Sequence, residues 1–178
     1  MKNLSLLLII ALSFGCNPDK ETRVDSKKAK FNTSDASELF FKNVRQTYYN
    51  KDEIATAKLD VYKNKKLLNY EPLLFPQIVH NWREDEAYIL IEFDQQINEL
   101  GSLQLLWKDS VEFQSETFPL VNKKVHFDIA SQVYNNILNE KTNYIKINQD
   151  TSLLFLEEGS EEGFRITMVD FYRLVDMY

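Results

Sequence analysis

Cysteine occurs once, at position 16, and histidine twice, at positions 80 and 126. A disulfide framework is therefore excluded, and a structural zinc site is improbable with so few nitrogen and sulfur ligands. Glycine is almost as scarce: Gly15, Gly101, Gly159 and Gly163 are the whole supply. Phosphate-cradling loops and nucleophile elbows need glycine where the backbone approaches a ligand or takes a strained turn. Neither G-x-G-x-x-G, nor G-x-x-x-x-G-K-[ST], nor G-x-S-x-G occurs, so no cofactor is expected. Long apolar runs are missing too. The longest, Leu4 to Phe14, has eleven residues and is too short to cross about 30 Å of hydrocarbon as a helix.

Aromatic side chains are abundant, with twelve Phe and nine Tyr, which predicts an aromatic-rich core. The net charge of -6 is unevenly spread. Residues 17–33 hold five Lys/Arg and three Asp/Glu, whereas residues 34–178 hold fifteen against twenty-four, a balance of -9. An acidic domain repels phosphates, so nucleic acid is not an expected partner.

Met1, Lys2 and Asn3 carry one positive charge ahead of the apolar run, and Leu12-Ser13-Phe14-Gly15-Cys16 follows it. Ser13 and Gly15 are small residues where a signal peptidase needs them. In these sixteen residues the chain resembles bacterial lipoproteins, whose signal ends in a small residue before a lipidated cysteine. The resemblance implies a signal peptide over 1–15, acyl chains such as palmitate on Cys16, and attachment to a membrane through them. Two or more acyl chains anchor stably where one does not. Asn17, in place of the Asp that retains many such proteins at the inner membrane, implies the outer membrane of a Gram-negative cell envelope. Residues 17–33 are polar and read as a flexible tether whose basic surplus serves solubility.

Residues 34–178 read as a single α+β domain, mainly an antiparallel sheet with two helices packed on one side. Asp35 and Glu38 suggest an N-cap and its capping-box partner for a helix over about 34–50. A strand is expected over 56–63, with Leu59 and Val61 inward and Asp60 and Tyr62 outward. Residues 73–80 contain Pro76 and are expected at a sheet edge or in a loop. Residues 87–94 alternate cleanly, with Ile89, Ile91 and Phe93 inward. One or two strands are expected within 102–113, after a turn over 98–101. Asp128 is the expected cap of a second helix ending near Glu140. Strands are expected over 144–147, 153–156 and 164–171, the last after an acidic turn from Glu157 to Gly163.

His80 with Trp82, the His126-x-Asp128 pair and the Glu157–Gly163 carboxylates are the densest polar groupings, and each has a simpler reading as a strand end, a helix cap or a solvated turn. The surface expected to matter is aromatic: Trp82, Trp107, Tyr62 and Tyr88. These features predict a non-enzymatic binding or protein-interaction domain whose partner is an envelope protein or a glycan. A small envelope hydrolase using paired carboxylates and a glycan-binding module are the alternatives.

Overall fold

The computed structural model describes residues 23–70, 72–109 and 112–177. Cys16 and the expected signal peptide lie outside the described residues. The fold is α+β, with two antiparallel four-stranded sheets in place of the single sheet expected.

The chain enters the folded body earlier than its composition suggests. Val24 is buried, and its carbonyl accepts a hydrogen bond from Asn135. Asn32 bridges to Glu86, and the Ala87 amide donates to the Phe31 carbonyl. The polar stretch expected to be a tether through Thr33 is thus packed from Val24 onward, because a few apolar anchors among its charges suffice to dock it.

Helix α1 (Asp35–Phe40) is capped by Ser34, not Asp35, through reciprocal bonds with Ser37. It continues as a π-helical turn (Phe41–Arg45) and a 3-10 turn (Gln46–Tyr48). There the expected helix ends, and β1 (Tyr49–Ile54) begins at its last predicted residues. This strand is polar because it is a sheet edge, where charges discourage pairing with another chain. Lys51–Asp60 and Lys63–Asp52 ion pairs join it to β2 (Leu59–Asn64).

Strand β3 (Leu74–Asn81) is central in the order β1-β2-β3-β4, with Pro76 inside it. Pro76 faces Ile91 of β4 (Glu86–Phe93). The Ile91 amide points away from β3, toward His126, so the two residues exchange no ladder bonds. On its other side Pro76 lies one residue past Gln77, the last residue of β3 paired with β2. Proline is tolerated because no neighbour asks for its missing N–H.

Asp94 caps the short helix α2 (Gln95–Leu100), which Gly101 ends at φ +65° where a turn had been expected. Strands β5 (Ser102–Lys108), β6 (Phe113–Pro119), β7 (Thr142–Ile147) and β8 (Asp150–Leu153) form the second sheet, ordered β6-β5-β7-β8. Helix α3 (Lys123–Leu138) packs against β4 of the first sheet and β6 and β7 of the second. Asn122 caps it by accepting from the Lys124 and Val125 amides, so Asp128 is mid-helix and pairs with Lys124 one turn back.

The largest departure is α4 (Glu158–Leu174), where an acidic turn and a strand had been expected. Glu158 and Glu161 sit at the positive end of the helix dipole, which favours them. Phe164, Met168, Phe171 and Val175 form a buried helical row. Gly163 is needed for closeness: a Cβ there would lie 2.8 Å from Leu67 Cγ.

Candidate functional site

The two faces of the first sheet hold most of what is chemically distinctive. Register assigns Asp60, Tyr62 and Asn64 of β2 and His80 of β3 to the same face as Ile78, Ile89 and Ile91. This inner face is covered by α1, α3 and α4. The polar side chains there answer to the helices. Asp170 of α4 accepts from Arg45 Nε and from the Tyr49 hydroxyl, each at 2.7 Å. Asn64 donates to Thr167 at 3.1 Å. His80 Nε2 lies 2.9 Å from Glu38 Oε1, which also accepts from the Thr33 hydroxyl. Burial works against the Glu38 charge, but Thr33, Lys42 and His80 outweigh it and hold its carboxyl down at about 2. Burial, then Asp170, pushes the Tyr49 phenol up. Asp60 pairs with Lys51 through one oxygen, while the other is buried without a partner.

This network is assembled from ion pairs between elements, which is what docking α1 and α4 onto a polar strand face requires. His80 and Trp82 do not form a joint site: His80 is buried against Glu38, while Trp82 is 46% exposed at the β3–β4 turn. His126 and Asp128 are also apart in role. His126 Nδ1 accepts the Ile91 amide at 2.9 Å, and burial lowers its pKa. Glu162 is held by Arg165, and burial, then Glu162 and Glu158, raises the Glu161 carboxyl. Among the described residues, no group of three or more His, Cys, Asp or Glu side chains is arranged to hold a metal ion.

The outer face reverses this chemistry. Val61, Val79, Tyr88 and Leu90 lie side by side on it, with Ile54 on the edge strand. Val61 and Val79 are buried, yet they stand outside the main core cluster. Leu90 is 39% exposed. Trp82 closes one end, with Lys58 Nζ 5.2 Å from its ring centroid. Lys123 lies over the Tyr88 ring at 5.4 Å. At the other end the face runs into a cleft of about 430 Å³, bounded by Lys63, Phe75, Glu92 and Leu68. Glu92 in this cleft accepts from Gln77, and Asp94 caps α2, so both of its carboxylates serve the fold.

Of the four aromatic residues expected on the surface, Tyr88 lies on this face and Trp82 stands exposed in the turn beyond its end. Tyr62 is 1% exposed, on the inner face, with its ring edge-on to Phe41. Trp107 is 8% exposed on the inner side of the second sheet, donating to Gln114. Both are corrected to core residues. Tyr62 was misplaced because β2 carries its apolar residues outward, and Trp107 because a strand of the second sheet was assigned to the first. Val61, Val79 and Ile54 were missed, and only the pairing of β1 through β4 reveals them.

Compared with known protein families, curated proteins and solved structures, the chain matches none.

Proposed function

We propose that this chain is a lipid-anchored protein of the cell envelope, held at the outer membrane of a Gram-negative bacterium by acyl chains on Cys16. Its domain is a non-enzymatic module that binds a second envelope protein through the outer face of the first sheet. The observation that carries the binding half is the inverted face itself: Val61, Val79, Tyr88 and Leu90 turn away from the helices while Asp60, Asn64 and His80 turn toward them. Folding does not require this arrangement, whereas a partner covering the outer face gives it a reason. The rim supports a protein partner, since Lys58, Lys63 and Lys123 alternate with Glu84 and Glu92 around an apolar centre.

Each half has its own test. Full-length protein grown with labelled palmitate is expected to carry the label, and Cys16→Ala to lose it. Equal labelling of both would remove the anchor. A photo-crosslinking residue at Leu90 is expected to trap one reproducible envelope protein in cells, and Tyr88→Ser to abolish the adduct. The same adducts from a probe at Phe113, 57% exposed on the edge strand β6 of the second sheet, would rule the surface out.

A further inference from the structure

The helical stretch Asp35–Tyr48 exposes much of its apolar surface. Two of its four charged residues, Glu38 and Arg45, point inward, to His80 and Asp170, while Asp35 and Lys42 are exposed. Its outward rows, Phe40, Val44 and Tyr48 beside Leu39, Asn43 and Thr47, are exposed and uncharged, with exposed Asp35 one turn before Leu39 and exposed Lys42 adjoining them. Leu39 is 62% and Tyr48 is 53% exposed. A water-facing helix ordinarily presents charges on this side. Cations fringe the apolar rows. Arg173 lies over the Phe40 ring at 5.8 Å, Lys65 reaches the Thr47 carbonyl and Lys42 is exposed beside them, whereas Arg45, over the Tyr48 ring at 4.8 Å, is already paired with Asp170.

The same end of the molecule receives the chain from Cys16. Arg23, Val24, Lys28 and Lys30 border a cleft with Asp176 and Met177, just beyond the end of α4. Ser37 of α1 donates to the Leu174 carbonyl at the end of that same helix. Arg23, Lys27, Lys28 and Lys30 are all exposed there, among the acids Asp25 and Asp35. Val24, the first buried residue among the described ones, is eight positions from Cys16. Fully extended, eight residues span at most about 28 Å, and as a coil they average roughly 15 Å. A domain held so short cannot float far from the bilayer.

We infer that Asp35–Tyr48 is a membrane-contact helix, its Leu39, Phe40, Val44 and Tyr48 side chains seated in the interface of a bilayer containing anionic phospholipid. Apolar side chains enter the headgroup boundary while the surrounding cations meet the phosphates. The cations of the entering segment, Arg23, Lys27, Lys28 and Lys30, thus lie at the same end of the molecule as this helix. Such a contact fixes the domain's orientation, which a flexible anchor alone does not. The inference takes the chain's closeness to a bilayer from the reading of Cys16, and the test separates the two.

The test is fluorescence quenching. Full-length protein carrying Tyr48→Trp and Trp82→Phe is reconstituted into vesicles of phosphatidylcholine and phosphatidylglycerol, with or without bromine on the acyl chains. Position 48 is expected to lose at least about half of its emission to bromine, while parental Trp82 and buried Trp107 stay bright. Val44→Trp in the same background repeats the test at a second site on the face, so that misfolding of one variant does not decide it. Equal emission from brominated and plain vesicles at both positions, or quenching of Trp82 instead, would overturn the inference. So would a protein that does not associate with the vesicles. Undiminished quenching in purely neutral vesicles would overturn its anionic part. Palmitate labelling is read separately on the same protein, so a failed anchor and a failed helix contact are told apart.

Discussion

The two faces of the first sheet are made by the same strands and obey opposite rules. On the inner face, β2 offers Asp60, Tyr62 and Asn64 to the helices, and β3 offers His80. On the outer face the same strands offer Val61 and Val79, and β4 offers Tyr88 and Leu90. Alternation with a period of two explains why one register makes both. The difference teaches that polarity along a strand does not say which side is buried: the helices that cover a face decide it. The inner polar groups His80 and Asn64 are satisfied by Glu38 and Thr167, so their burial is tolerable, and only one oxygen of Asp60 goes without a partner. Val61 and Val79 are already buried within the chain, whereas Leu90 stays 39% exposed beside them and is what points to a partner.

Breaking the inner face has the largest expected effect. Asp170→Ala leaves Arg45 without its carboxylate and the Tyr49 hydroxyl without its acceptor, in a buried place. It is expected to cost about 3–5 kcal/mol, measured by urea unfolding. A cost below about 1 kcal/mol would mean that the pair does not hold α4 to β1 and the α1 segment. Next comes Gly163→Ala, which drives a methyl against Leu67 and is expected to cost about 1–3 kcal/mol. Leu67→Ala in the same chain should recover part of that loss if the clash is its cause.

A third experiment sharpens the electrostatic side of the comparison. The Glu38 carboxyl sits at about 2, below its ordinary 4.5. A lowered carboxyl pKa means that the unfolded chain binds the proton first as pH falls. The stability it contributes is therefore present above about 4.5 and lost as pH drops from there to about 2. The parent is expected to lose stability across that window more steeply than Glu38→Gln, measured as the unfolding midpoint against pH. Parallel curves would mean that Glu38 is not held by His80, Thr33 and Lys42 as described.

Much of the fold was legible in the sequence, and the exceptions share a cause. The inward set Ile89, Ile91 and Phe93 was readable because β4 follows the common rule, apolar in and polar out. The stretch 56–63 was read with its faces exchanged because β2 breaks that rule. The segment from Glu157 to Phe171 read as a turn and a strand because glycine and like charges suggest a break. In the fold, Gly159 and Gly163 are small residues one helical turn apart, beside Tyr70 and Leu67. No local signal reports a neighbour nearly one hundred residues away. The places of Trp82 in a turn and Tyr88 on an alternating strand were legible because both are local features, whereas the positions of Val61 and Val79 depend on strand pairing.

The smallest expected effect tests the central claim most directly. Trp82→Ser combined with Leu90→Ser removes two large apolar side chains from the outer face and none from the core. The account predicts an unfolding free energy within about 1 kcal/mol of the parent, since exposed apolar side chains contribute little to folding. A loss of several kcal/mol would contradict it, for it would show that the outer face is part of the core and not a surface kept for a partner.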